Sequence, residues 1–141
     1  MTCEALFRLA YASRNLIPEH RMRVEIPRIL DAARRHNATQ DVTGALLFGA
    51  DGFVQVLEGP LAAVEQTFER IQCDPRHADV VVLEAGMAAA RDFEGWSMAY
   101  AGRRPDLRFA GFGAAPDGGP QAMLDLLRGA LGRLAGTAIP A

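Results

Sequence analysis

Two short apolar runs, Val42–Phe48 and Phe53–Glu58, are separated by Gly49-Ala50-Asp51-Gly52, and this arrangement does most to limit what the chain can become. Each run is too short for a helix, and the Gly and Asp between them supply the backbone freedom of a tight turn, so the pair reads as a β-hairpin. Strand alternation then places Phe53, Gln55 and Leu57 on one face and Val54, Val56 and Glu58 on the other. Gln55 puts a primary amide where a hydrocarbon is the default. A buried amide without partners costs roughly 1 to 3 kcal/mol. Gln55 therefore faces a hydrogen-bonding side chain, a polar ligand, or solvent at a sheet edge.

The elements around the hairpin fix the fold class. Residues 4–12 alternate, with Phe7, Leu9 and Tyr11 on one face and Leu6, Arg8 and Ala10 on the other, as a first strand does. After a loop around Asn15–Glu19, Ile26, Ile29, Leu30 and Ala33 recur at helical spacing, with Pro27 tolerated near a first turn and an end near Asn37. Beyond the hairpin, Pro60 is placed to open a second helix whose stripe is Leu61, Val64, Phe68 and Ile71. A fourth strand over Asp79–Glu84 follows Asp74-Pro75-Arg76-His77, and Trp96, Met98 and Tyr100 share one face of a fifth. The order β-α-β-β-α-β with an additional strand is an α+β, ferredoxin-like arrangement.

Residues 1–103 form this domain, and 104–120 read as a linker, richest in Gly, Ala and Pro from Gly111 onward. Leu124, Leu127, Leu131 and Leu134 then mark a C-terminal helix over 121–136, capped near Asp117 or Gly119 and stopped by Gly136. It is expected to cover the second sheet face or to make a dimer or partner contact.

Charge is nearly balanced, 15 Lys and Arg against 17 Asp and Glu, with the basic residues scattered, so no nucleic-acid-binding stripe is present. No apolar run approaches the roughly 18 residues of a membrane span, and the N-terminus lacks a secretory pattern, which reads as a cytoplasmic protein. Cys3 and Cys73 are distant, without a CxxC or histidines at metal spacing, and read as ordinary thiols with no metal site. The phosphate-cradling glycine motifs, HExxH and GxSxG are all absent.

The fragments Tyr11-Ala12-Ser13, Asn37, Val42-Thr43-Gly44, Phe53 through Pro60, Asp74-Pro75-Arg76-His77 and Arg91-x-Phe93-x-x-Trp96-Ser97-Met98 together resemble the BLUF family of flavin-binding blue-light sensors. The resemblance covers roughly residues 5–100 and implies FAD held between the two helices with its ring facing the sheet. It implies that Tyr11 donates an electron and a proton to the excited flavin, and that Gln55 bridges Tyr11 and the ring. On strand grounds alone Tyr11 is a core tyrosine with a satisfied hydroxyl.

The same resemblance makes Asn37 the partner of the ring's polar edge, although an Asn at a helix end is also a cap. His36 stands where many relatives carry a second asparagine, and is otherwise a helix-end histidine favoured by the dipole. Arg70 and Asp74 are implied beside the pyrimidine edge; read without the family they form an exposed i,i+4 pair. Ser13 reinforces the hydrogen-bond network or ends its strand, and Arg76 lies near the flavin tail or on the surface. Trp96 and Met98 are the implied signal relay, or core packing if taken alone. The interval from Tyr11 to Asn37 is slightly longer than is usual in the family.

The reading that follows is a photoreceptor and not an enzyme, acting through the last strand and the C-terminal segment on a separate protein effector or on its own oligomeric state, a dimer or larger. The alternatives are a light-independent ferredoxin-like interaction module that has lost the flavin, and a small flavin redox enzyme.

Overall fold

The computed structural model describes residues 6–48, 52–93 and 99–103. In chain order they form β1 (Leu6–Asn15), α1 (Met22–Gln40), β2 (Thr43–Phe48), β3 (Gly52–Pro60), α2 (Leu61–Gln72), β4 (His77–Met87) and β5 (Ala99–Arg103), with a short 3-10 turn at Glu19–Arg21 before α1. The sheet order is β4-β1-β3-β2-β5. The strands β1, β3 and β4 pair antiparallel, as do β2 and β3, while β5 runs parallel to β2. The ferredoxin-like arrangement with a fifth strand is therefore the observed fold.

Register places Tyr11 of β1 and Leu46 of β2 on either side of Gln55 in β3. One turn of the pleat further on, Arg8 and Thr43 flank Glu58 on the opposite face. Gly44 is what allows β2 to lie this close: a Cβ there would sit 2.0 Å from the Val56 carbonyl oxygen. Leu9, Tyr11, Leu46, Phe53 and Leu57 pack against Met22, Ile26, Leu30 and Val64 from the two helices. Each large apolar side chain buried in this layer contributes roughly 1.5 to 3 kcal/mol. The other face is apolar too, and Ala10, Ala12, Ala45, Leu47, Val54 and Val56 are all buried.

Several boundaries differ from expectation. Helix α1 begins at Met22, so Pro27 lies inside it and not in its first turn. The carbonyl that Pro27 leaves without a donor belongs to Arg23, on the exposed side where water can satisfy it. The helix runs past Asn37 to Gln40, where Asp41 turns left-handed (φ 58, ψ 37) and donates its N–H to the Asn37 carbonyl. Leu61, expected in the core stripe, is 41 % exposed at the first position of α2. Strand β4 is longer than Asp79–Glu84 and carries an irregularity, with Asp79 at φ 56. Strand β5 opens at Ala99, and the expected relay residues Trp96 and Met98 lie outside the described residues, as do the linker 104–120 and the helix 121–136.

Candidate functional site

Between α1, α2 and the sheet lies an open cleft of about 120 Å³, far beyond the space one or two waters need. Its apolar walls come from Ile29 and Ala33 of α1, Leu46 and Phe53 of the hairpin, and Ile71 of α2. Its polar groups sit at the floor and rim. A flat, largely apolar ligand with polar edges matches that distribution.

Tyr11 and Gln55 meet on the floor because they are direct partners across the β1–β3 ladder. The phenol donates a hydrogen bond to the Gln55 Oε1 atom, and both side chains are buried. Burial, with the Asp74 carboxylate adding to it, pushes the Tyr11 phenol well above its ordinary ionisation range. The phenolate is therefore closed to it, and Tyr11 acts as a neutral donor. An amide can turn over and present donors where it had acceptors, a versatility no charged side chain has.

Asn37 lines the same cleft from the last turns of α1, its side chain buried. Its backbone carbonyl caps the helix by accepting from Asp41 and from Val42 N, the latter at 3.0 Å. The helix-end contact expected of Asn37 is thus made by its main chain. His36 beside it lies 3.2 Å from the Thr67 hydroxyl, whose own proton goes to the Ala63 carbonyl. Nε2 of His36 must then be the donor. Partial burial, reinforced by the Arg70 charge, lowers the His36 pKa from 6.5 and favours the neutral ring.

Arg70 and Asp74 both line the cleft, but the i,i+4 pair between them is not formed. Helix α2 stops at Gln72, so Asp74 falls beyond the stretch where that spacing brings side chains together. Asp74 instead grips Arg76, accepting from its backbone N (2.9 Å), from Nε (2.9 Å) and from Nη2 (2.6 Å). Burial opposes the Asp74 charge, but these bonds and the charges of Arg76 and His77 outweigh it and hold the carboxyl below its usual range. Arg76 also reaches Glu25 on α1 at 3.7 Å, bridging the two sides of the cleft mouth. Ile17 N bonds the Asn15 side chain (2.8 Å), Leu16 N bonds the Arg76 carbonyl (2.9 Å), and the 3-10 turn follows.

Ser13 neither ends its strand nor reaches Gln55 through a direct bond. It is fully buried, with its hydroxyl 2.7 Å from Nδ1 of His77, while Nε2 of His77 lies 2.6 Å from the Ile71 carbonyl. A carbonyl accepts only, so in the neutral ring the proton is on Nε2 and Ser13 donates to Nδ1. His77, in the Asp74–His77 motif, is a wall residue to which sequence reasoning gave no role. Its ring lies 6.1 Å from that of Tyr11 and 6.4 Å from that of Phe53. Its place at the end of the Asp74–His77 turn was the available signal. Among the described residues no cluster of His, Cys, Asp and Glu could hold a metal ion, and no helix is long and apolar enough to cross a membrane.

A family profile described as "BLUF: Sensors of blue-light using FAD" matches residues 6–99. The blue light- and temperature-regulated antirepressor BluF of Escherichia coli (strain K12) is 42 % identical over 69 residues, which are 49 % of this chain and 17 % of that protein. The photoactivated adenylate cyclase subunit beta of Euglena gracilis is 43 % identical over 75 residues, 53 % of this chain and 8 % of that one. The match thus spans less than a fifth of either relative. Among solved structures, the dark state of BlrB, a BLUF protein, superposes with a TM-score of 0.65 at 33 % identity, covering 70 % of this chain and 74 % of that one. The photo-activated state of BlsA gives 0.67 at 33 % identity, covering 72 % and 71 %.

Proposed function

The chain belongs to the BLUF family of blue-light sensors using FAD, and from that membership we propose that its light reaction runs through Tyr11 and the Gln55 amide beside a flavin in the cleft. The domain is a blue-light photoreceptor, not an enzyme. The reading of its mechanism is carried by one observation, the Tyr11 hydroxyl donating to Gln55 on the cleft floor.

The donor set suits a flavin: apolar walls for the rings, with Asn37, Gln55 and the Arg70–Asp74 end of α2 for their polar edge. When bound, the flavin supplies absorption of blue light and, once excited, a strong one-electron acceptor. Tyr11 is the group that can fill that demand. A phenol that has lost an electron becomes strongly acidic, so its proton would leave with the electron, and the hydrogen bond directs that proton to Gln55. Electron and proton both return to Tyr11, so nothing is consumed. What persists is the Gln55 amide, rotated or tautomerised, with a changed hydrogen-bond pattern toward its neighbours. Asn37 would hold the ring's polar edge with His36 beside it, Arg76 would lie toward the flavin tail, and Ser13 steadies the wall through His77.

We take the flavin to be FAD, following the family's description, although one solved relative is described with FMN. Mass analysis of the chromophore released from purified protein decides between them. The output is proposed to pass through Trp96 and Met98 to a separate protein effector, within a homo-oligomer. The direct test is a visible spectrum before and after blue illumination. A small red shift that reverses in darkness is expected. A protein that stays colourless after added flavin would favour the light-independent module.

A further inference from the structure

Strands β4 and β5 occupy opposite edges of the sheet, so the chain between them must cross its full width. The first part of that crossing is held at successive points. Ala88 N donates to the Leu6 carbonyl (2.9 Å), and Arg8 Nη2 donates to the Ala90 carbonyl (2.8 Å). The backbone N–H groups of Asp92 and Phe93 then both end on the Glu58 carboxylate, at 2.7 and 3.0 Å. That carboxylate is fully buried and also accepts from Arg8 (2.9 and 3.1 Å) and from the Thr43 hydroxyl (3.1 Å). Arg91 closes the cluster. Its Nη1 donates to Thr43 Oγ1 (2.9 Å) and the Glu58 carbonyl (3.2 Å), and its Nη2 to the Asp41 carbonyl (2.9 Å).

Two arms run from this cluster to the cleft. Glu58 lies three positions after Gln55 on β3, and on the opposite face, so it touches no ligand. Asp41 lies four positions after Asn37, tied to it by the helix-capping bond. Both cleft amides therefore connect to the same few hydrogen bonds through one turn of helix or one short stretch of strand. Bonds between guanidinium or backbone donors and a buried carboxylate are short and directional. A small shift of β3 or of the α1 end must move the crossover with it or break them.

We infer that the Glu58–Arg91 cluster is the joint that carries a change at the cleft to the β4–β5 crossover, with Glu58 and Arg91 as positioning residues. The inference rests on the photosensor reading. Its content is a pair of arrangements that both the cleft and the crossover bias, the requirement for any such coupling.

Hydrogen–deuterium exchange on the full, flavin-loaded chain in darkness and under blue light tests it, with Glu58→Gln and Arg91→Lys beside the wild type. All three proteins are expected to show the same reversible red shift, because the cleft is untouched. In the wild type, illumination changes exchange at the Asp92 and Phe93 amides; in Glu58→Gln, which removes the carboxylate they donate to, that light–dark difference is lost, and in Arg91→Lys, which weakens the link to Asp41 and the α1 end, it is reduced. Arg91→Lys leaves the buried carboxylate with Arg8 and its backbone donors, so it serves if Glu58→Gln does not fold. A wild type that shifts its spectrum with flat exchange at these amides overturns the joint alone, as does a light–dark difference of undiminished size in either folded variant. A wild type with no spectral shift overturns the photosensor reading itself, and that is visible before exchange is measured.

Discussion

The two faces of β3 solve the problem of a buried polar side chain in opposite ways. Toward the helices, Gln55 is neutral and hydrogen-bonded to a neutral phenol. Toward the other side, Glu58 is charged and fixed by two guanidinium nitrogens of Arg8, a hydroxyl and two backbone N–H groups. A neutral amide can exchange donor for acceptor at the cost of about one hydrogen bond, roughly 1 kcal/mol. An ionised carboxylate accepts only, so it cannot make that exchange and moves together with the donors bonded to it. One strand thus carries a part that can exchange its hydrogen-bonding role and a part that can only pass a movement on, a few residues apart.

Removing either half of the switchable side should abolish the signal completely. Tyr11→Phe or Gln55→Leu is expected to eliminate the light-induced red shift while costing only about 1 kcal/mol of stability. A persistent shift in either variant, read in the visible spectrum, would break the comparison. The fixed side should show the reverse. Glu58→Ala takes from Arg8 its buried partner, leaving it Asp92, and strands two backbone donors, so it should cost roughly 3 to 5 kcal/mol, measurable by urea unfolding. A loss below about 1 kcal/mol would mean that the cluster is no more than a surface ion pair.

The smallest effect concerns pH. The His36 pKa is lowered from 6.5 in the folded protein, so the unfolded chain takes up the proton more readily. Stability is then full above pH 6.5 and falls as pH drops through the folded value. Replacing His36 with Asn should flatten that slope in thermal unfolding between pH 7 and pH 5, the range in which histidine titrates.

The contrast also marks where sequence reading stops. The hairpin, the facing of Gln55 and the ferredoxin-like order were all legible, because each follows from alternation and turn residues within a short window. The meeting of Tyr11 with Gln55 was legible only through the family resemblance, since a separation of 44 residues carries no local pattern. Glu58 was placed on the correct face, but its donors come from residues 15 to 50 positions away, and nothing in an apolar strand announces them. The pairing expected for Asp74 failed for a local reason, the helix ending two residues too early. His77 was passed over because its two partners, a serine hydroxyl on β1 and a main-chain carbonyl at the end of α2, become neighbours only in the fold.

Strand β4 is eleven residues long and forms one margin of the sheet, the situation in which a protein invites another chain to zip alongside it. The left-handed backbone at Asp79 throws the pleat out of step there, and its carboxylate is held outside by Arg14 at 3.2 Å. A passing strand meets a broken ruler with a charge at the break. At that end the margin is a poor template for another strand.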